Sequence, residues 1–122
     1  MKRIALLGFC VLVLASNAFA QKKATTLIGE VIDIKNYMMY GLKADNPDRK
    51  AAVEASITAG NPLGFLHAKT GKIYMVVMPK QEENANARLK EYLGFRVYVK
   101  GVVYQKGKTQ MLVLNDIGKS IK

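Results

Sequence analysis

The sequence predicts a mainly β domain, a small five-stranded Greek-key barrel with two helices, and three observations lead to it. Five stretches between residues 26 and 117 are rich in β-branched, aromatic and other apolar residues, and the clearest of them alternate with a period of two. Short turns containing Gly or Pro separate them. Two further stretches carry helix signals instead, one between the first and second strands and one between the third and fourth.

The residues before this domain read as a secretory signal. Met1-Lys2-Arg3 is cationic, Ile4 to Ala15 is an almost unbroken apolar run, and Ala18-Phe19-Ala20 supplies an A-x-A cleavage site. The run falls short of the about 20 residues that cross a hydrocarbon core, so no membrane span is expected. Residues 1–20 are read as a cleaved signal peptide, and residues 21–122 as one domain bound for the periplasm or the outside of the cell. Cys10, the chain's one cysteine, leaves with the signal. Phe9 before it stands where a lipoprotein signal takes a small residue, which argues against lipidation. Thiol catalysis and Cys-based metal sites are thereby excluded from the mature chain.

The elements follow in order. Thr26 to Ile34 and Asn36 to Tyr40 read as one long bent strand, with Gly29 as the point for a bulge or sharp twist. Asn46-Pro47 opens a helix, since Asn caps free N–H groups and Pro has no donor to lose in the first turn; Ala51 to Ala59 continues it and Gly60 ends it. Pro62 to Ala68 and Lys72 to Met78 are strands joined by a hairpin turn at Lys69-Thr70-Gly71. Pro79 stops the second of these. Glu82 to Leu93 is the other helix, with Ala85, Leu89 and Leu93 four apart and Gly94 at its end. In Phe95 to Val103, Phe95, Val97, Val99, Gly101 and Val103 alternate with Arg96, Tyr98, Lys100, Val102 and Tyr104. Lys106-Gly107 turns the chain, and Thr109 to Ile117 returns with Met111 and Val113 on one face and Leu112 and Leu114 on the other. Five strands with a helix between the third and fourth is the plan of an OB-fold, with an extra helix between strands one and two. A ferredoxin-like sandwich is the runner-up, although it would place its helices after strands one and three of only four.

Gly29-Glu30-Val31-Ile32-Asp33 with Tyr37-Met38, Ala59-Gly60-Asn61-Pro62-Leu63-Gly64, Gly71-Lys72-Ile73-Tyr74, Tyr92-Leu93-Gly94 and Val97-Tyr98-Val99-Lys100-Gly101 resemble a group of small exported bacterial OB-fold proteins. The resemblance covers roughly Ile28 to Val113 and implies the OB-fold and an exported location. Many of those proteins carry a Cys just before the Tyr-Met pair and a Cys pair on the helix, which implies a metal or thiol role. Here the corresponding positions hold Asn36, Ala52 and Ser56.

Charge is the most quantitative functional signal. The chain has 19 Lys and Arg against 9 Asp and Glu, and without Lys2 and Arg3 the balance is still +8. Arg96, Tyr98, Lys100 and Tyr104 share the outer face of one predicted strand, alternating cation with aromatic ring, and the turn lysines Lys69, Lys72, Lys106 and Lys108 extend the patch. The strand pair that OB-folds use for ligands adds Tyr74 and His67, with Phe65 and Val76 beside them. The expected partner is an anionic envelope component or an acidic protein. An exported protein meets little nucleic acid, so nucleic acid is not the expected ligand, and the domain is expected to be a monomer or a weak oligomer. The competing reading of the same strand is a solvated face whose Tyr rings pack on a neighbour.

Two other classes are weighed against this one. Met38 and Met39, with His67, offer soft and imidazole ligands of the kind Cu(I) takes, which would make a metal-handling protein; as packing residues they need no metal. Glu30, Asp33 and Asp116 would approach one another only if the first and last strands did. No Ser-His-Asp order, P-loop, GxGxxG or HExxH pattern occurs, and no cofactor is implied. The expectation is therefore a binding module with no catalytic residues.

Overall fold

The computed structural model describes residues 23–44 and 46–121. The expected signal peptide, its expected cleavage after Ala20 and Cys10 lie outside the described residues.

Five strands form the domain: β1 (Thr25–Asp33), β2 (Leu63–His67), β3 (Ile73–Val77), β4 (Arg96–Lys106) and β5 (Thr109–Lys119). They hydrogen-bond into a closed ring in the order β1-β2-β3-β5-β4. All neighbours are antiparallel except β3 and β5, which run parallel with Met75 opposite Met111. β1 closes the ring by serving two partners. Its first half pairs with β4, Thr26 opposite Lys100 and Ile28 opposite Tyr98, and its second half pairs with β2, Val31 opposite Phe65. Gly29 belongs to both ladders, and the carbonyl of Leu66 lies so close that a Cβ would collide with it. The bulge expected at Gly29 is not found, since both ladders run through it in register; the position instead requires a glycine because the backbones approach closely.

Three α-helices are present among the described residues, one more than the sequence predicts: α1 (Ile34–Tyr40), α2 (Lys50–Thr58) and α3 (Ala85–Leu89). The extra one is α1, which replaces the predicted second half of the bent strand. Two features favour helix there. Gly41 ends the segment in the left-handed region at φ 66°, with its N–H donating to the Tyr37 carbonyl, and Asn36 donates to the Asp33 side chain one turn back. The helical turn also lays Ile34 over Gly64 on the outside of β2, where a Cβ on Gly64 would strike its side chain.

The first predicted helix begins at Asn46-Pro47 as expected. Asn46 Oδ1 accepts from the Asp48 N–H, a 3-10 turn runs over Pro47–Arg49, and α2 follows. The helix expected from Glu82 is shorter: Asn84 caps α3, and a 3-10 turn over Lys90–Tyr92 completes it. Its predicted stripe survives the shortening, for Leu89 is fully buried and Ala85 and Leu93 pack against the core.

Inside the ring lie Val31, Leu63, Phe65, Tyr74, Val76, Val97, Val99, Leu112, Leu114 and Ile117, with Leu89 joining them from α3. The alternation predicted for β4 and β5 is observed from Arg96 onward, since Val97, Val99 and Gly101 are buried while Arg96 and Lys100 are exposed, and Leu112 and Leu114 point inward; Phe95, predicted to start the inward row, lies before β4 and is exposed. A bulge at Lys100 and Gly101 lets β5 pass one extra residue, so that Ile117 rather than Asp116 continues the inward row. No helix among the described residues is long and apolar enough to cross a membrane.

Candidate functional site

The register of the ring decides what the outer face of β4 can do. Arg96 lies opposite Glu30 of β1, and Lys100 lies opposite Asp116 of β5. Opposite charges at facing positions lower the net charge of that face, although neither pair closes to ion-pair distance. Between them Tyr98 faces Ile28 on one side and Gly118 on the other. Its ring lies across Gly118, where a Cβ would come within 2.6 Å of the hydroxyl and 2.7 Å of the ring carbons. Lys100 Nζ stands 5.8 Å from the centre of the Tyr98 ring. Of the predicted row, Arg96 and Lys100 are exposed, while Tyr98 is half-buried against its neighbours.

The remaining predicted residues divide between the interior and the two ends of the ring. Tyr74 is 6 % exposed and points inward with Phe65 and Val76, so all three belong to the core and none reaches the basic face. His67 ends β2 with its ring 6.5 Å from Phe65 and 6.4 Å from Tyr74, and its Nδ1 is 2.8 Å from Thr70 Oγ1. The structure brings His67 and Arg96 together in the lining of a hollow of about 410 Å³, with Glu30, Tyr37, Lys43 and Phe95. Lys43 Nζ is 3.0 Å from Glu30 Oε1 there. Met38 and Met39 are exposed on α1 and do not line that hollow. Glu30, Asp33 and Asp116 are not brought together, because β1 and β5 are not neighbours in the ring. Asp33 instead points inward, 1 % exposed; Asn36 donates to its Oδ2, and its Oδ1 has no hydrogen-bond partner among the described residues.

The lysines of the turns have a different setting. β3 and β5 are parallel, and each sets out from its own hairpin turn, so the β2–β3 turn with Lys69 and Lys72 and the β4–β5 turn with Lys106 and Lys108 lie at the same end of the ring. Continuing the register back from Met75 and Met111 sets Thr109 level with Ile73 and Lys108 level with Lys72. All four lysines are exposed, and none is in an ion pair among the described residues. The β4–β5 turn is tight: Lys106 faces Thr109, Gly107 takes φ 59°, and its carbonyl accepts from Gln105 Nε2 at 3.1 Å. In the β2–β3 turn the Lys72 N–H donates to Thr70 Oγ1 at 3.3 Å. Between the turns, Met75, Tyr104, Lys106 and Met111 share a shallow hollow of about 360 Å³.

This neighbourhood was only half visible in the sequence. The turn lysines stood out as cations, but their being side by side depends on the parallel β3–β5 pair. The acids opposite Arg96 and Lys100 could not be seen, since no local pattern sets cross-strand register. Comparison with known proteins finds no family model that matches the chain, no matching curated protein and no matching solved structure.

Proposed function

We propose that the chain is an exported, non-catalytic OB-fold-like binding module that takes an anionic envelope component or an acidic protein at the end of the ring where the two lysine turns meet. The signal-like residues 1–20 support export. The strand order β1-β2-β3-β5-β4, with a helix between β3 and β4, supports the OB-fold reading of a five-stranded Greek-key barrel. The observation that carries the site is the charge balance. Arg96 and Lys100 each lie opposite an acidic residue in the register, whereas Lys69, Lys72, Lys106 and Lys108 gather on two adjacent turns that carry no Asp or Glu. Unneutralised cations on two adjacent turns concentrate a positive field at one end of the molecule, and that field draws anionic partners.

Retention on a heparin column tests this. The double variant Lys72→Ala, Lys108→Ala is expected to elute at clearly lower salt than the parent, and the matched variant Arg96→Ala, Lys100→Ala, which removes the same charge outside the turn cluster, to shift less. Elution of the turn variant together with the parent would remove the basis for this site. A larger shift for the Arg96 and Lys100 variant would return it to the middle of β4.

A further inference from the structure

The outside of the ring beside the lysine turns is apolar. Met75 of β3 is 43 % exposed and Tyr104 of β4 is 42 % exposed, and the register places Met111 of β5 next to both. One step along the strands, Val77, Val113 and Val102 form a second row, each half-buried. These side chains alternate with the inward core residues, so they face out of the ring. A contiguous apolar patch with charged residues at its edge is a candidate surface for a protein or a membrane.

We propose that this patch and the lysines at its end dock the protein onto the surface of an anionic phospholipid membrane, with Met75, Met111 and Tyr104 entering the headgroup–acyl boundary. The inference rests on the anion-binding reading of the same end of the ring and narrows it to one partner. Charge complementarity selects the occupant. Two copies meeting through this face would join surfaces of the same positive sign, each with four lysines at one end and a net excess of basic residues, which opposes a dimer. A soluble polyanion satisfies the lysines and leaves the methionines in water. An anionic leaflet satisfies both: each lysine near its surface is worth about a fivefold gain in partitioning, and the Tyr104 ring, apolar in body and polar at its tip, suits the interface.

Sedimentation with vesicles tests the proposal on the full mature chain. Binding is expected to phosphatidylcholine vesicles containing about one-third phosphatidylglycerol, and to weaken at least about tenfold when the anionic lipid is omitted. The variant Met75→Ser, Tyr104→Ser is expected to lose about tenfold in vesicle binding while its heparin retention stays that of the parent. Because the chain has no tryptophan, Tyr104→Trp gives a single reporter on a conservative background. Its emission is expected to shift to the blue on adding the anionic vesicles. Heparin retention without vesicle binding would overturn the membrane proposal and leave the anion-binding reading standing; loss of both would overturn both. Vesicle binding unaltered in Met75→Ser, Tyr104→Ser, or equal binding to the neutral vesicles, would also overturn the proposal. A blue shift of Tyr104→Trp that appears on raising protein concentration alone would overturn it in favour of a second copy.

Discussion

Gly29 and Gly118 are held by what lies across from them, and the two neighbours differ in how far they can yield. A Cβ at Gly29 meets the Leu66 carbonyl oxygen, part of the β1–β2 ladder, and comes within 2.8 Å of the Phe65 ring. Backbone in a ladder cannot step aside without breaking hydrogen bonds, so Gly29→Ala is expected to cost about 3 kcal/mol, the upper end for overpacking. At Gly118 the obstacle is the outer part of the Tyr98 ring, which can swing toward solvent. Gly118→Ala is therefore expected to cost about 1 kcal/mol or less. Urea unfolding midpoints of the two variants measure the difference, and similar costs would mean that the ring over Gly118 is as fixed as the ladder. The same scale shows where the sequence is ambiguous. In β4 the alternation of Val with Arg, Tyr and Lys tells inward from outward, but Ile73-Tyr74-Met75-Val76-Val77 is apolar throughout. Nothing in that run says that Tyr74 and Val76 are core and Met75 is surface, so Tyr74 reads as a surface candidate until its strand neighbours are known.

At the scale of elements, α3 is attached to the ring by one side chain whose role no motif announces. Asn86 Oδ1 accepts from the Leu63 N–H at 2.9 Å, and Asn86 Nδ2 donates to the Asn61 carbonyl at 2.8 Å. The two bonds tie the helix to the first residue of β2, next to the point where Leu89 enters the core. Asn86→Ala leaves both backbone groups unpaired in a partly buried place, at an expected cost of about 2 kcal/mol. Asn84→Ala, which removes only an exposed helix cap, is expected to cost about 1 kcal/mol. Thermal unfolding of the pair checks this ordering, and an Asn86→Ala variant as stable as Asn84→Ala would show that water replaces the lost partners. The elements themselves were legible where composition and period agreed, as in β4, β5 and the Asn46-Pro47 helix start. Ile34 to Tyr40 misled because its aromatic and apolar residues suit a strand by composition while lacking a period of two; the signal that decides it is Gly41, and a glycine after seven residues serves a loop as readily as a helix end.

For the whole molecule, the decisive feature is where the excess positive charge sits, and that depends on ring order rather than on any segment. The chain is basic by composition, yet its register sets Glu30 and Asp116 opposite Arg96 and Lys100 and leaves the turn lysines together at one end. Composition could supply the sign of the field; only the parallel β3–β5 pair could supply its location. The same imbalance makes opposite demands on stability and on binding. Seventeen basic against nine acidic side chains over residues 21–122 repel one another in the compact state, and salt screens that repulsion. Raising sodium chloride from about 0.01 M to about 0.1 M shortens the screening length from about 30 Å to about 10 Å, the range in which repulsion across a domain of this size fades. The melting temperature is therefore expected to rise by a few degrees over this interval while affinity for anionic vesicles or heparin falls. Differential scanning calorimetry and vesicle sedimentation in the same buffers measure the two trends. If the melting temperature fell with salt, net attraction between fixed charges such as Arg96 with Glu30 and Lys100 with Asp116 would outweigh repulsion among the turn lysines, and the end of the ring would hold less unbalanced charge than its sequence and register imply.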